Sequence, residues 1–207
     1  RIHDAIAGIV ADLEGVGAEL VGLGSYALGR GYLAVDELGE ARRFLEKAWE
    51  GGYREPEVSH ALGVTLSLIY RDALTGLETI ADPELREARR EGLRTRLQRP
   101  AVVHMVRSRG SDPGADHYLA ALIAFHEERF DEALRLLTET PDRDPWSYDA
   151  DLLLGDVHRE SAVAHRDAGD AAAAHSELRA ALDAYGAALE IARSDPNAHL
   201  AAGHAHL

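Results

Sequence analysis

The chain has 207 residues, 46% of them apolar and 28% charged, a balance that suits a folded soluble domain and excludes a disordered one. Its formal charge is −14, from 36 acidic and 22 basic side chains, so it has no global attraction for nucleic acid or anionic lipid. With no cysteine, disulfides, thiol catalysis and cysteine metal sites are excluded.

Alanine and leucine dominate, β-branched residues are sparse and only seven prolines interrupt the chain, a mix that favours helix over strand. Lys47 is the single lysine. No window approaches the run of roughly 18 apolar residues that a membrane span needs. The start at Arg1-Ile-His-Asp4 has neither an initiator Met nor an apolar signal segment, and the end at His204-Ala-His-Leu207 falls inside helical-looking sequence. A piece of a longer protein is therefore expected. The cytosol is the expected compartment unless a membrane span precedes the chain.

In chain order, residues 1–21 read as a lead-in helix, with Ile2–Leu20 as its body. Residues 22–81 hold two helix pairs. Leu28-Gly29 recurs 34 residues later as Leu62-Gly63. After Gly29 come Tyr32, Ala41, Leu45 and Ala48, and positions 38, 41, 45 and 48 form one apolar helix face. Gly29, Ala41 and Ala48 are expected where the two helices cross, with Leu28, Tyr32 and Leu45 filling the space between pairs. Residues 82–112 read as an inserted helical segment. Asp82-Pro-Glu is a strong helix start, and the helix should run to about Gln98 with Leu85, Ala88, Leu93 and Leu97 inward. Pro100 and Gly110–Gly114 are expected to break the chain on either side of 101–109.

Residues 113–195 hold two further pairs. His117–Phe125 carries Ala120-Ala121 where Leu-Gly stood, and Phe130-Asp-Glu-Ala-Leu-Arg-Leu-Leu137 repeats the second-helix pattern before Pro145. Leu154-Gly155 opens the next pair, followed by Ala181, Tyr185 and Ala188 and closed by Ser194-Asp-Pro196. Gly63 to Ala121 spans 58 residues, 24 more than the period, and Gly155 to Gly203 spans 48, 14 more. The second excess reads as extra turns on both helices around Ala168-Gly-Asp170. Ala202-Gly203 opens a truncated further unit over 196–207. One pair cannot bury its own apolar face, so stacking is expected to stabilise the array.

These Leu-Gly, Tyr, Ala and Pro positions resemble the tetratricopeptide-repeat (TPR) family over about residues 22–207. The resemblance implies an all-α, right-handed helix-pair solenoid with two irregular, extended repeats. A narrower resemblance appears in Tyr26–Leu33, Ala48–Val58, Pro145–Tyr148, Gly155–His158 and Ala188–Pro196. They are similar to the TPR region that follows the catalytic domain in some bacterial serine/threonine protein kinases. That implies a regulatory or docking role beside a kinase. The chain itself has no Gly-rich nucleotide loop before a Val-Ala-Ile-Lys strand, no His-Arg-Asp loop and no Asp-Phe-Gly, so no enzyme activity and no cofactor are expected of it.

In such arrays the ligand binds on the face lined by the first helix of each unit. This places Tyr26, Arg30, His60, Val64, Tyr118, Leu122, Leu152 and Asp156 in a candidate peptide groove. TPRs that grip the carboxylate of heat-shock chaperones use a Lys/Asn/Arg clamp at such places. Tyrosine, histidine and aliphatics stand here instead, so that role is not expected.

Three other motifs have plain readings. Gly24–Gly31 approaches a phosphate-binding loop, but it lacks the Lys, the hydroxyl and a preceding strand, so its glycines read as helix contacts. Arg86, Arg90 and Arg94 share one helix stripe. That basic patch could dock a phosphopeptide, an acidic partner or lipid head groups, but a solvated face paired with Glu84, Glu87 and Glu91 is the expected reading. Among eleven histidines, His199, His204 and His206 lack the i, i+4 spacing of a helical metal pair, and His158 with His165 is a pair alone, so no metal site is expected. The expected partner is a protein or peptide, with no nucleic acid and no membrane insertion. The alternative is a structural helical spacer whose groove is filled by its own inserts.

Overall fold

A computed structural model describes residues 8, 18–110, 116–139, 148–193, 199 and 201–203. Most of the expected lead-in helix lies outside these residues, as do Pro145, Ser194–Pro196, His204 and His206. Every regular element among the described residues is helical. The helices are α1 (Ala18–Ala34), α2 (Leu38–Glu50), α3 (Pro56–Thr75), α4 (Pro83–Leu93), α5 (Arg99–Ser108), α6 (Asp116–His126), α7 (Phe130–Thr138), α8 (Asp149–Asp167) and α9 (Ala171–Ile191). A 3₁₀ turn, Gly76–Thr79, follows α3, and a π turn, Arg94–Gln98, joins α4 to α5. No helix among the described residues is long and apolar enough to cross a membrane.

The chain divides into two compact units, Arg1–Ser111 and Asp112–Leu207. In the first, α1 packs on α2, α2 on α3 and α3 on α5, while α1 also touches α3. In the second, the same order holds: α6 on α7, α7 on α8, α8 on α9, and α6 against α8. Each unit is thus two neighbouring helix pairs.

A small residue in the first helix lets each pair close. A Cβ on Gly29 would lie 2.6 Å from Leu45 Cγ, one on Gly63 2.7 Å from Met105 Cγ, and one on Gly155 2.3 Å from the Tyr185 ring. Ala121, wholly buried, holds the same place in α6. In the second helices a matching triad is buried: Ala41, Leu45 and Ala48; Ala101, Met105 and Ser108; Ala181, Tyr185 and Ala188. Ala133 and Leu137 supply its first two members in α7. The i, i+4, i+7 spacing puts each triad on one helix face.

The turn inside three of the four pairs recurs as well. Glu37 N donates to Tyr32 O, Arg129 N to Ala124 O, and Asp170 N to His165 O, each reaching back five residues. The residue just before each donor (Asp36, Glu128 and Gly169) has positive φ, which is what a helix ending in a left-handed cap requires. In the last pair both helices are seven residues longer between crossing point and turn, so Tyr185 follows Gly155 by 30 residues where Leu45 follows Gly29 by 16. Seven residues are close to two helical turns, so the added length preserves the facing surfaces. The long α8 and α9, 19 and 21 residues, are therefore a lengthened version of the same pair.

Three expectations need correction. Leu28 and Tyr32 pack with Phe44 inside the first pair, with the Tyr32 and Phe44 rings stacked 5.5 Å apart, and Leu45 abuts Gly29 there. These large residues fill the crossing of α1 and α2 rather than a gap between pairs. Pro100 does not break the helix. The π turn just before it closes Arg99 N–H onto Arg94 O, and the chain continues as α5. A proline lacks the amide an α-helix would use and collides with the carbonyl four residues back. Widening the preceding turn is one way to absorb both, a π-bulge. Within the stretch 82–112 this makes α5 the partner of α3. Finally, Leu85 and Ala88 are exposed, because α4 buries no residue and runs along the surface. Its start is as expected: Asp82 Oδ1 accepts from the amides of Glu84 and Leu85, with Pro83 in the first turn.

Candidate functional site

The residues expected to line a groove fall into two groups. Tyr26 and Arg30 on α1, His60 and Val64 on α3, and Tyr118 on α6 are half-buried or exposed. Arg30 Nη1 donates to the Tyr26 hydroxyl at 3.0 Å, and the Tyr26 and Tyr53 rings lie 5.9 Å apart. This makes a small aromatic and cationic surface on the first pair. The remaining three positions, all in the second unit, turn inward. Leu122 is 1% exposed, Leu152 packs against Tyr185, and Asp156, 5% exposed, accepts the Tyr185 hydroxyl at 2.7 Å. Those three side chains hold the α6–α9 unit together. Gly24–Gly31 lies within α1, where Gly29 meets Leu45.

Two of the three arginines of the basic stripe are ion-paired. Arg94 Nη1 lies 3.0 Å from Glu87 and 3.8 Å from Glu91, and Arg90 lies 4.0 Å from Glu87. Arg99 pairs with Glu91 at 2.7 Å. Arg86 donates to the Ile80 carbonyl at 3.0 Å, which ties α4 back to the loop after the 3₁₀ turn. His158 and His165 do not act together: His158 bonds Glu177 of α9 at 2.7 Å and so links the two long helices. Among the described residues no three His, Cys, Asp or Glu side chains converge as metal ligands.

The first unit also contains a cleft of about 220 Å³ that the sequence did not reveal. Arg42, Glu46, Trp49 and Glu50 of α2 form one wall, and Pro100 and His104 of α5 face them. Leu62 and Leu66 of α3 are the floor, and Arg96 enters from the π turn. Arg42 Nε donates to Glu46 at 2.7 Å. The His104 ring stands edge-on to the Trp49 indole at 4.9 Å, and its Nδ1 shares a hydrogen bond with Ser59 Oγ at 3.3 Å. Burial lowers the His104 pKa, the Arg107 charge lowers it further, and Glu46 partly opposes both. His104 is therefore neutral at pH 7. The guanidiniums of Arg54 and Arg107 lie 5.6 and 5.4 Å from the Trp49 ring centre, within cation–π range. One local signal was present: Arg96, Pro100, His104 and Arg107 follow at spacings of four, four and three, one helix face. Taking Pro100 as a break hid it.

No protein-family model matches the chain, and no curated protein matches it. Its class is therefore defined by its own geometry: an all-α protein of neighbouring helix pairs, each closed by a small residue in its first helix.

Proposed function

We propose that this chain is a protein-interaction module of the TPR type, and that it serves as the regulatory or docking region of a bacterial signalling serine/threonine kinase. The observation that carries the module reading is the coincidence of three recurrences. A glycine or alanine marks the crossing, a buried Ala-x₃-large residue faces it, and a five-residue turn bond follows in three of the pairs. The link to a kinase rests on the sequence resemblance alone.

The ligand is a protein segment docked on the first-helix face of the α1–α5 unit. Tyr26, Arg30, Tyr53 and His60 offer aromatic and polar contacts of the kind that dominate interface energetics. A second reading, favoured by the burial of Leu122 and Asp156 and the packing of Leu152, makes the α6–α9 unit a structural support with no ligand of its own. A photo-crosslinking amino acid at Tyr26 or His60, with an equivalent at exposed Arg166 as control, tests the module reading in cell extract. Specific adducts at the first two positions support it. Equal, diffuse labelling at all three positions refutes it. A kinase catalytic domain encoded upstream of Arg1 would support the kinase link, and an unrelated domain there would remove it.

A further inference from the structure

We propose that the cleft between α2, α3, the π turn and α5 is a second binding site, which takes an acidic peptide segment through one apolar anchor side chain. At about 220 Å³ the cleft is smaller than a typical small-molecule pocket but has room for a single large side chain. Its floor is apolar, since Leu62 and Leu66 are 2% and 3% exposed, and Trp49 and Pro100 extend that surface up the walls. A neutral His104 adds no charge to the interior. An aromatic anchor would meet an indole and an imidazole edge there, contacts that aromatic pairs favour.

The rim sets the chemistry of the flanking residues. Residues 82–110 carry eight arginines against four carboxylates in a chain whose net charge is −14. Arg90, Arg94 and Arg99 share the carboxylates of Glu87 and Glu91, and Arg42 pairs with Glu46. Arg54, Arg96 and Arg107 differ. Arg54 and Arg96 donate to the backbone carbonyls of Trp49 and Gly92, and Arg107 lies over the Trp49 ring. None of the three has an ion-pair partner among the described residues. Arg96 thus lines a cleft with an apolar floor, and Arg54 and Arg107 lie over the tryptophan in its wall, residue types enriched at binding hot spots. Glu50 is the remaining carboxylate on the wall, and it is exposed. The complement is a segment with aspartates or glutamates on both sides of a phenylalanine or leucine.

The test uses the full chain with Trp146→Phe, which leaves Trp49 as the sole tryptophan. A synthetic peptide with a central phenylalanine between runs of aspartate and glutamate is titrated while Trp49 emission is followed. A saturable change is expected, with affinity reduced about tenfold or more by Arg96→Glu with Arg107→Glu and weakened by added salt. The counterpart peptide with lysines in place of the acids should give no change. Tyr26→Ala with Arg30→Ala should leave the response intact, so this site stands or falls apart from the first-helix face. No response up to millimolar peptide, or an equal response to the lysine peptide, overturns the proposal. Binding to anionic vesicles with no response to the peptide also overturns it.

Discussion

Two glycines in the second unit should respond to the same substitution with opposite signs. Gly155 faces the Tyr185 ring, where an added Cβ would lie 2.3 Å from Cε1, and the ring is pinned by its bond to Asp156. Gly155→Ala should therefore cost about 1–3 kcal/mol in urea unfolding, as overpacking does. Gly186, in the exposed face of α9, has nothing within 4 Å of a Cβ, so Gly186→Ala should add about 0.5–1 kcal/mol through helix propensity. Tyr185→Phe withdraws a donor from a buried carboxylate and should cost about 1–3 kcal/mol in the same assay. His104 adds a pH dependence. Its folded pKa lies below the unfolded value of 6.5, so the unfolded chain binds the proton more readily. Its contribution to stability is complete above that value and is lost as the pH falls from it towards the folded pKa. The urea midpoint of the wild type should fall more than that of His104→Gln between about pH 7.5 and about pH 5.5. Equal falls would show that His104 is not held neutral by the fold. At this scale the sequence was informative where chemistry is local: Gly29 was legible as a contact point because only a missing side chain suits a close helix crossing, and Gly63 and Gly155 were legible as its recurrences. Leu28 and Tyr32 were not placed correctly, since an apolar stripe does not say which neighbour it meets.

Among the elements, α4 shows what a local signal can and cannot establish. Asp82 and Pro83 gave the start of the helix, because a cap is a contact within three residues. Asp82→Ala should cost about 1 kcal/mol and lower amide-exchange protection through the first turn of α4, while α8 and α9 keep theirs. The inward face of α4 was misjudged because its amphipathic pattern has no full helix opposite it. The element packs mainly on the 3₁₀ and π turns. The π turn was invisible for a different reason. A proline in a helix predicts a kink or a stop, and whether the preceding turn widens to continue depends on packing against α3. With α5 recovered, Ala101, Met105 and Ser108 match Ala41, Leu45 and Ala48, a likeness that Met and Ser had obscured. The cleft draws side chains from α2, α3, the π turn and α5, so no single stretch of sequence could have announced it.

For the whole molecule, helical class and paired organisation followed from composition and from a 34-residue recurrence, both of which survive insertions. The lengthening of α8 and α9 was also legible, because seven residues on each helix leave the contact faces in register. The division at Ser111 means that every residue of the cleft belongs to the first unit. A fragment of residues 1–111 should accordingly remain helical by circular dichroism and keep a cooperative thermal transition; a melted fragment would show that the unit depends on the rest of the chain. The central claim, that one helix-pair design is repeated along the chain, is tested most directly by placing leucine at the four equivalent buried alanines. Ala41, Ala101, Ala133 and Ala181 are each 0% exposed. Urea unfolding of the four Ala→Leu variants should show a loss of about 1–3 kcal/mol in every case. Exposed Ala187→Leu should change stability by no more than about 0.5 kcal/mol. If Ala101→Leu behaves like Ala187→Leu, α5 does not close the second pair, and the repeated design fails where the structure extends it beyond the sequence.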